Sequence, residues 1–198
     1  LTEKMITANK AGKPVAAILR AESLALFTVA EAGLAMKYLS PESASFAKGS
    51  YDPDGAWRVL MYTVHSIGWN NKAIAAADAP RSYDDLLNPK YKGKLGIEAE
   101  CLEWFTQQLA IRGKDRGLEY MRRLAEQKPR LIKGHTTLTR LGVAGEVPVA
   151  VMVYAYRAQL DKEAKAPIEW LADKPATATH TGLVFRKGAP HPNAAKLM

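Results

Sequence analysis

The sequence predicts an α/β fold with a largely parallel sheet. Two observations carry this. Short apolar runs alternate with helical stretches of about ten residues. The runs are near-continuous in Val, Ile and Leu, as in strands covered on both faces. A chain of 198 residues, 47% hydrophobic and 24% charged, is long enough to bury such sheets as one domain or two small lobes.

Residues 1–11 read as a helix already under way, with no cap before Met5 and Ile6. Gly12-Lys13-Pro14 breaks it, and the run Val15 to Leu19 reads as a buried strand. Ser23 is the expected cap of a helix over 24–32 that Gly33 ends, with the loop Arg20 to Ser23 at the strand's carboxyl end. Open α/β folds bind ligands at that edge. Residues 40–56, rich in Ser, Pro, Asp and Gly, read as surface loop, and 57–68 as one or two extended strands. A helix is expected over 72–77, and another from Pro80 to Leu87 with Ser82 as its cap and Asp84 and Asp85 in its first turn.

Lys94 to Ile97 is the next strand, leading into Glu98 and Glu100. Helices over 102–112 and 115–127 are divided by Gly113, and Leu131-Ile132 is strand-like. Thr136 and Thr137 are expected to cap a helix that Gly145 ends. Val147 to Val153 is the strongest buried-strand signal, followed by a helix over 155–164 and a final strand over 182–185. The chain opens on Leu1 in mid-helix and closes one turn into another helix at Pro192, so the expectation is an internal segment of a longer protein.

Composition narrows the function classes. No stretch approaches the roughly 18 apolar residues of a membrane span. The single Cys101 excludes a disulfide framework and a multi-cysteine zinc site. The net charge of +8 permits an anionic ligand, but the basic residues are dispersed. Their densest group, Arg112 to Arg123, reads as a solvated helix face, so no nucleic-acid partner is expected. Templates for nucleophile elbows, phosphate loops, dinucleotide binding and zinc proteases are absent, and no enzyme activity is expected. Cys101 with His65 or His135 could pair as nucleophile and base, though nothing local activates the thiol.

The chemistry-bearing residues gather where strands are expected to end: Glu22, Ser23, His65, Glu98, His135, Thr136, Thr137, Tyr154 and Tyr156. Each has a plain structural reading as a loop charge, a cap or a strand-end aromatic. Together they supply carboxylate, phenol and imidazole, donors suited to a trivalent metal. Gly134 to Thr137, opening a helix, offers N–H groups and hydroxyls to an anion, with Arg140 one turn on.

Three segments carry a family resemblance. Asn70 followed by Pro80-Arg81-Ser82-Tyr83-Asp84-Asp85-Leu86-Leu87-Asn88-Pro89-Lys90-Tyr91-Lys92-Gly93-Lys94-Leu95 resembles a signature of extracellular solute-binding proteins of ABC importers. Gly145-Glu146-Val147-Pro148-Val149 and Lys187 to Lys196 resemble that family's later motifs, in the right order and spacing. Within the family the chain is similar to the ferric-iron-binding branch of the type 2 periplasmic binding fold.

The resemblance implies a two-lobed, Venus-flytrap α/β fold of mostly parallel sheets with helices on both faces and ligand in the inter-lobe cleft. The lobes would be residues 1–66 with 181–198, and residues 67–180. It implies capture of ferric iron, with carbonate or phosphate as a synergistic anion, by lobe closure in the periplasm, and delivery to a membrane permease by a monomer. Glu22 stands where ferric-binding members carry a carboxylate ligand, and Thr136/Thr137 at the anion site. Tyr154-Ala155-Tyr156 stands where those members carry adjacent tyrosines, so one tyrosine matches and the pair does not. Glu22, Tyr154 and Tyr156 are therefore the expected metal ligands, with Ser23, His65, Glu98, Thr136, Thr137 and Arg140 lining the site. Two alternatives stand beside this: a small organic anion as ligand, and the effector domain of a transcription regulator.

Overall fold

The computed structural model describes residues 2–13, 16–100 and 102–197. The chain divides into two compact units, Leu1–Tyr62 with Thr179–Met198, and Thr63–Ala178. Two strands carry the chain from one unit to the other.

In the first unit, helix α1 (Thr2–Lys10) precedes strand β1 (Ile18–Glu22) and helix α2 (Ser23–Glu31). β1 runs antiparallel to the last strand, β7 (Thr177–Phe185), with Ile18 opposite Phe185 and Glu22 opposite Thr181. Met5, Leu19, Leu26, Val29 and Val184 close a small core beneath this pair. Full burial of a side chain such as Leu26 stabilises by about 2 kcal/mol. Gly33 ends α2 in the left-handed conformation at φ +69, as the sequence predicts. The expected strand over 15–19 lies three residues later, Val15 falling outside the described residues. Pairing with β7 draws Arg20, Ala21 and Glu22 into the ladder. Ser23 is consequently the first helical residue rather than the cap, a position Glu22 takes.

The second unit holds the larger core. The second half of β2 (Arg58–Asn70) lies beside β5 (Val149–Tyr154), which neighbours β3 (Leu95–Glu98), and β3 neighbours β4 (Arg130–Ile132). β6 (Ile168–Trp170) pairs with β2. β3, β4 and β5 are parallel, as expected. The expectation of mostly parallel sheets fails elsewhere, because β1–β7, β2–β5 and β2–β6 are antiparallel. β2 is a 13-residue strand entered from a loop, and no crossover helix returns it in the direction of β5.

Two apolar clusters flank this sheet. One joins Ile67, Tyr83, Leu86, Tyr91, Leu95, Trp104, Tyr120, Leu124, Val149, Val151 and Met152. Helices α3 (Leu102–Arg112) and α4 (Lys114–Glu126) contribute Trp104, Tyr120 and Leu124 to it. The other joins Ala150 and Val153 to Leu138 of α5 (His135–Ala144) and Ala158 of α6 (Ala155–Glu163). Asn70 ties β2 to α5: its amide donates to the Gly142 and Val143 carbonyls at 3.1 and 2.9 Å, and its carbonyl accepts from Lys72 and Ala73.

The helix expected over 72–77 does not form: Asn70 caps a single turn through the Lys72 and Ala73 N–H groups, the chain is extended at Ala75, and one 3-10 turn follows at Ala76–Asp78. The expected helix from Pro80 shortens to a 3-10 turn at Asp84–Leu87, with Ser82 still accepting from the Asp85 N–H. Thr136 and Thr137 sit inside α5, and Gly134 takes the cap position at φ +94. β6 is unforeseen, since three residues carry no periodicity. The chain closes with α7 (Pro192–Lys196) in the first unit. Among the described residues no helix is long and apolar enough to cross a membrane.

α3 and α4 pack closely at Gly117, where an added Cβ would stand 2.7 Å from Leu109 Cδ2 and 2.8 Å from Leu109 Cα. Gly117→Ala should destabilise the protein by about 1–3 kcal/mol, despite alanine's better helix propensity. Urea denaturation measures this, and an unchanged midpoint would contradict so close a helix pair.

Candidate functional site

A break in the β5 alternation sets up the site. Val149 and Val151 face one core cluster and Ala150 the other, as a regular strand requires. Met152 should then join Ala150, yet it packs with Val149 and Val151, and Val153 takes the face of Ala150. One extra residue has entered the strand. The register confirms it: Ser66 pairs with Val153, Ile67 with Val151, and Met152 is bulged out between them. Its backbone is left-handed, at φ +75, a conformation a non-glycine residue adopts at a cost of about 1–3 kcal/mol.

The bulge has two consequences. It returns Tyr154 to the sheet face that His65 occupies, directly opposite it across the β2–β5 ladder. It also turns the Met152 carbonyl toward His135, whose Nδ1 lies 2.7 Å away. A carbonyl only accepts, so Nδ1 is the protonated, donating nitrogen, which leaves Nε2 as the lone-pair position of the neutral tautomer.

Four rings gather around this feature. His65 and His135 stack at 4.8 Å between centroids and 12° between planes. Tyr154 stacks against His65 at 5.6 Å and lies 4.3 Å from His135, and Tyr156 stacks on Tyr154 at 5.6 Å. His65 is 3% exposed, and neither ring nitrogen has a hydrogen-bond partner. Burial, with the neighbouring His135, lowers its pKa to about 4, so the ring is neutral at physiological pH.

Glu98, at the end of β3, is buried beside the α5 start. Its Oε1 accepts from the Gly134 N–H at 3.1 Å and its Oε2 from the Glu100 N–H at 2.7 Å. The carboxylate therefore orients the loop that delivers His135. Thr136, Thr137 and Arg140 are exposed on the first turns of α5. The N–H groups of His135, Thr136 and Thr137 have no acceptor inside the helix.

Of the expected site residues, the second unit thus brings together His65, Tyr154 and Tyr156, with Glu98, Thr136, Thr137 and Arg140 on the adjoining elements. Glu22 and Ser23 belong to the first unit. Glu22 is exposed at the end of β1, and Ser23 Oγ shares a hydrogen bond with His180 Nδ1 at 3.2 Å. Sequence reasoning missed His180, which lies on β7 against Phe27 and Tyr62. Its signal was the polar alternation Thr177, Thr179, Thr181 that extends β7 upstream of Gly182. Cys101 lies outside the described residues. Among the described residues no three His, Cys, Asp or Glu side chains gather where they could hold a metal ion.

A family model described as bacterial extracellular solute-binding protein matches residues 19–198. The chain belongs to this family. This solute-binding protein also shares its fold with solved periplasmic binding proteins. Iron-bound HitA from Pseudomonas aeruginosa is 21% identical at a TM-score of 0.82, over 99% of this chain and 66% of that one. AfuA from Actinobacillus pleuropneumoniae, solved with exogenous fructose-6-phosphate, is 21% identical at 0.79, over 99% and 66%. The ferric binding protein from Campylobacter jejuni is 18% identical at 0.82, over 99% and 68%. The solute-binding protein chain thus spans about two thirds of these relatives' length. No curated protein matches it. The family is one of binding proteins, not of enzymes.

Burial of neutral His65 has a pH signature. Its folded pKa, about 4, lies below the unfolded value near 6.5. The unfolded state therefore binds more protons between these values, and stability falls as pH drops from 6.5 to 4. The shift corresponds to about 3 kcal/mol. Chemical denaturation across this window should show the loss, and His65→Gln should remove most of it. An equal slope in the variant would contradict the assignment.

Proposed function

We propose that the protein captures ferric iron outside the cytoplasmic membrane and passes it to the permease of an ABC importer. The observation that carries this reading is the pair of phenols, Tyr154 and Tyr156, stacked at 5.6 Å beside two imidazoles. Phenolate is a hard oxygen donor suited to a trivalent ion. A phenol of ordinary pKa, about 10, ionises at neutral pH beside such a charge. Met152 and Glu98 hold the surrounding elements in place, and Thr136, Thr137 and Arg140 offer N–H groups, hydroxyls and a cation to a carbonate or phosphate co-ligand. The family resemblance assigns Glu22 the carboxylate ligand, and Ser23 a place beside it. Family membership and the likeness to iron-binding relatives support the reading.

A second reading has its own support. The α5 start and Arg140 would also take an organic anion, with Tyr156 as a neutral hydrogen-bond donor, and one relative of this fold was solved with a sugar phosphate. Colour separates the two. Full-length protein loaded with ferric citrate should show a visible phenolate charge-transfer band. Tyr156→Phe should weaken or remove the band and lower affinity by about a hundredfold or more, at or above the upper end of what losing an outer partner costs. Glu22→Gln should lower affinity by about tenfold. A protein that stays colourless with ferric salts, yet binds fructose-6-phosphate in calorimetry, would overturn the iron reading in favour of the anion.

A further inference from the structure

The resemblance gives the captured ion only oxygen donors from this chain, two phenols and a carboxylate. The structure adds a nitrogen. His135 is the first residue of α5, so its position is fixed by the helix start and by the Glu98 carboxylate bound to the preceding Gly134 N–H. Its ring orientation is fixed by the Met152 carbonyl, 2.7 Å from Nδ1. Metal-binding imidazoles are held in the same way, one nitrogen donating to a carbonyl and the other facing the ion. The ring lies 4.3 Å from Tyr154, and His65 stacked at 4.8 Å covers its other neighbourhood. His135 and Tyr154 thus stand side by side in one ring cluster, with centroids 4.3 Å apart, which puts an imidazole beside the proposed phenol ligand. A solvated surface histidine would need neither a strained backbone at Met152 nor a buried carboxylate behind it.

We propose that His135 is a further ligand of the captured ion, binding it through Nε2, with the Met152 carbonyl as the group that selects its tautomer. The inference rests on the iron reading above. His65 differs in role. It is buried with both nitrogens unpartnered, and it packs the imidazole and phenol rings into register rather than reaching the ion.

The test uses full-length protein loaded with ferric citrate. His135→Asn is the informative variant, because an asparagine amide can replace Nδ1–H as donor to the Met152 carbonyl while removing Nε2. Electron spin-echo spectroscopy of the iron-loaded wild type should show modulation from a coordinated imidazole nitrogen. In His135→Asn that modulation should vanish and ferric affinity, read by citrate competition, should fall at least tenfold. Thermal unfolding of the apo variant should stay near wild type. In His65→Gln the modulation should persist. If His135→Asn keeps the modulation and binds within twofold of wild type, or if His65→Gln alone abolishes the modulation, the proposal is overturned while a persisting phenolate band leaves the iron reading intact. Absence of the phenolate band from wild type overturns both.

Discussion

The hydrogen bond from His135 Nδ1 to the Met152 carbonyl is the interaction on which the candidate site depends. It exists because β5 carries one residue too many for its ladder with β2. A regular strand would have aimed Tyr154 at the opposite face from His65 and pointed the Met152 carbonyl along the ladder. The left-handed backbone at Met152 costs about 1–3 kcal/mol. A fully buried strand, Val149 to Val153, holds it against relaxing, since any slip of register would unseat side chains from two apolar clusters at once.

The surrounding polar groups divide between support and display. Glu98 has both oxygens bound to backbone N–H groups and fixes the entry to α5. Asn70 does the same for the helix's far end through the Gly142 and Val143 carbonyls. These two buried side chains hold α5 at both termini, so the ring of its first residue is presented from a rigid element. His65 remains neutral because burial opposes its charge and His135 lies beside it. Keeping buried His65 neutral spares the site the cost of a charge buried beside the rings it packs against.

Much of this was legible in sequence, and the parts that were not share a cause. The β5 strand, the α3 and α4 helices divided by Gly113, and the Gly145 stop of α5 follow from local periodicity and backbone preference. The strand-end reading holds for Tyr154, while His65 lies inside the 13-residue β2 rather than at its end and His135 opens α5. The bulge at Met152 was invisible, because Val-Pro-Val-Ala-Val-Met-Val is uniformly apolar and shows no change of phase. The fate of Glu98 as a supporting group was likewise hidden, as it turns on contact with Gly134, 36 residues away. The helix expected at 72–77 ends after the one turn that Asn70 caps, because the chain becomes extended at Ala75, which the alanine-rich run does not signal.

The central claim is that the His65–His135–Tyr154–Tyr156 cluster is where solute is captured. Its most direct measurement is nitrogen-15 NMR of the histidine side chains in full-length protein titrated with gallium citrate, a diamagnetic substitute for ferric iron. The account predicts that free protein shows His135 as the Nδ1–H tautomer and His65 neutral at pH 7. Gallium should then shift the His135 Nε2 resonance strongly, with smaller changes at His65 and little at His191, which lies in the first unit just before α7. Gallium binding that leaves the His65 and His135 resonances unmoved would contradict it.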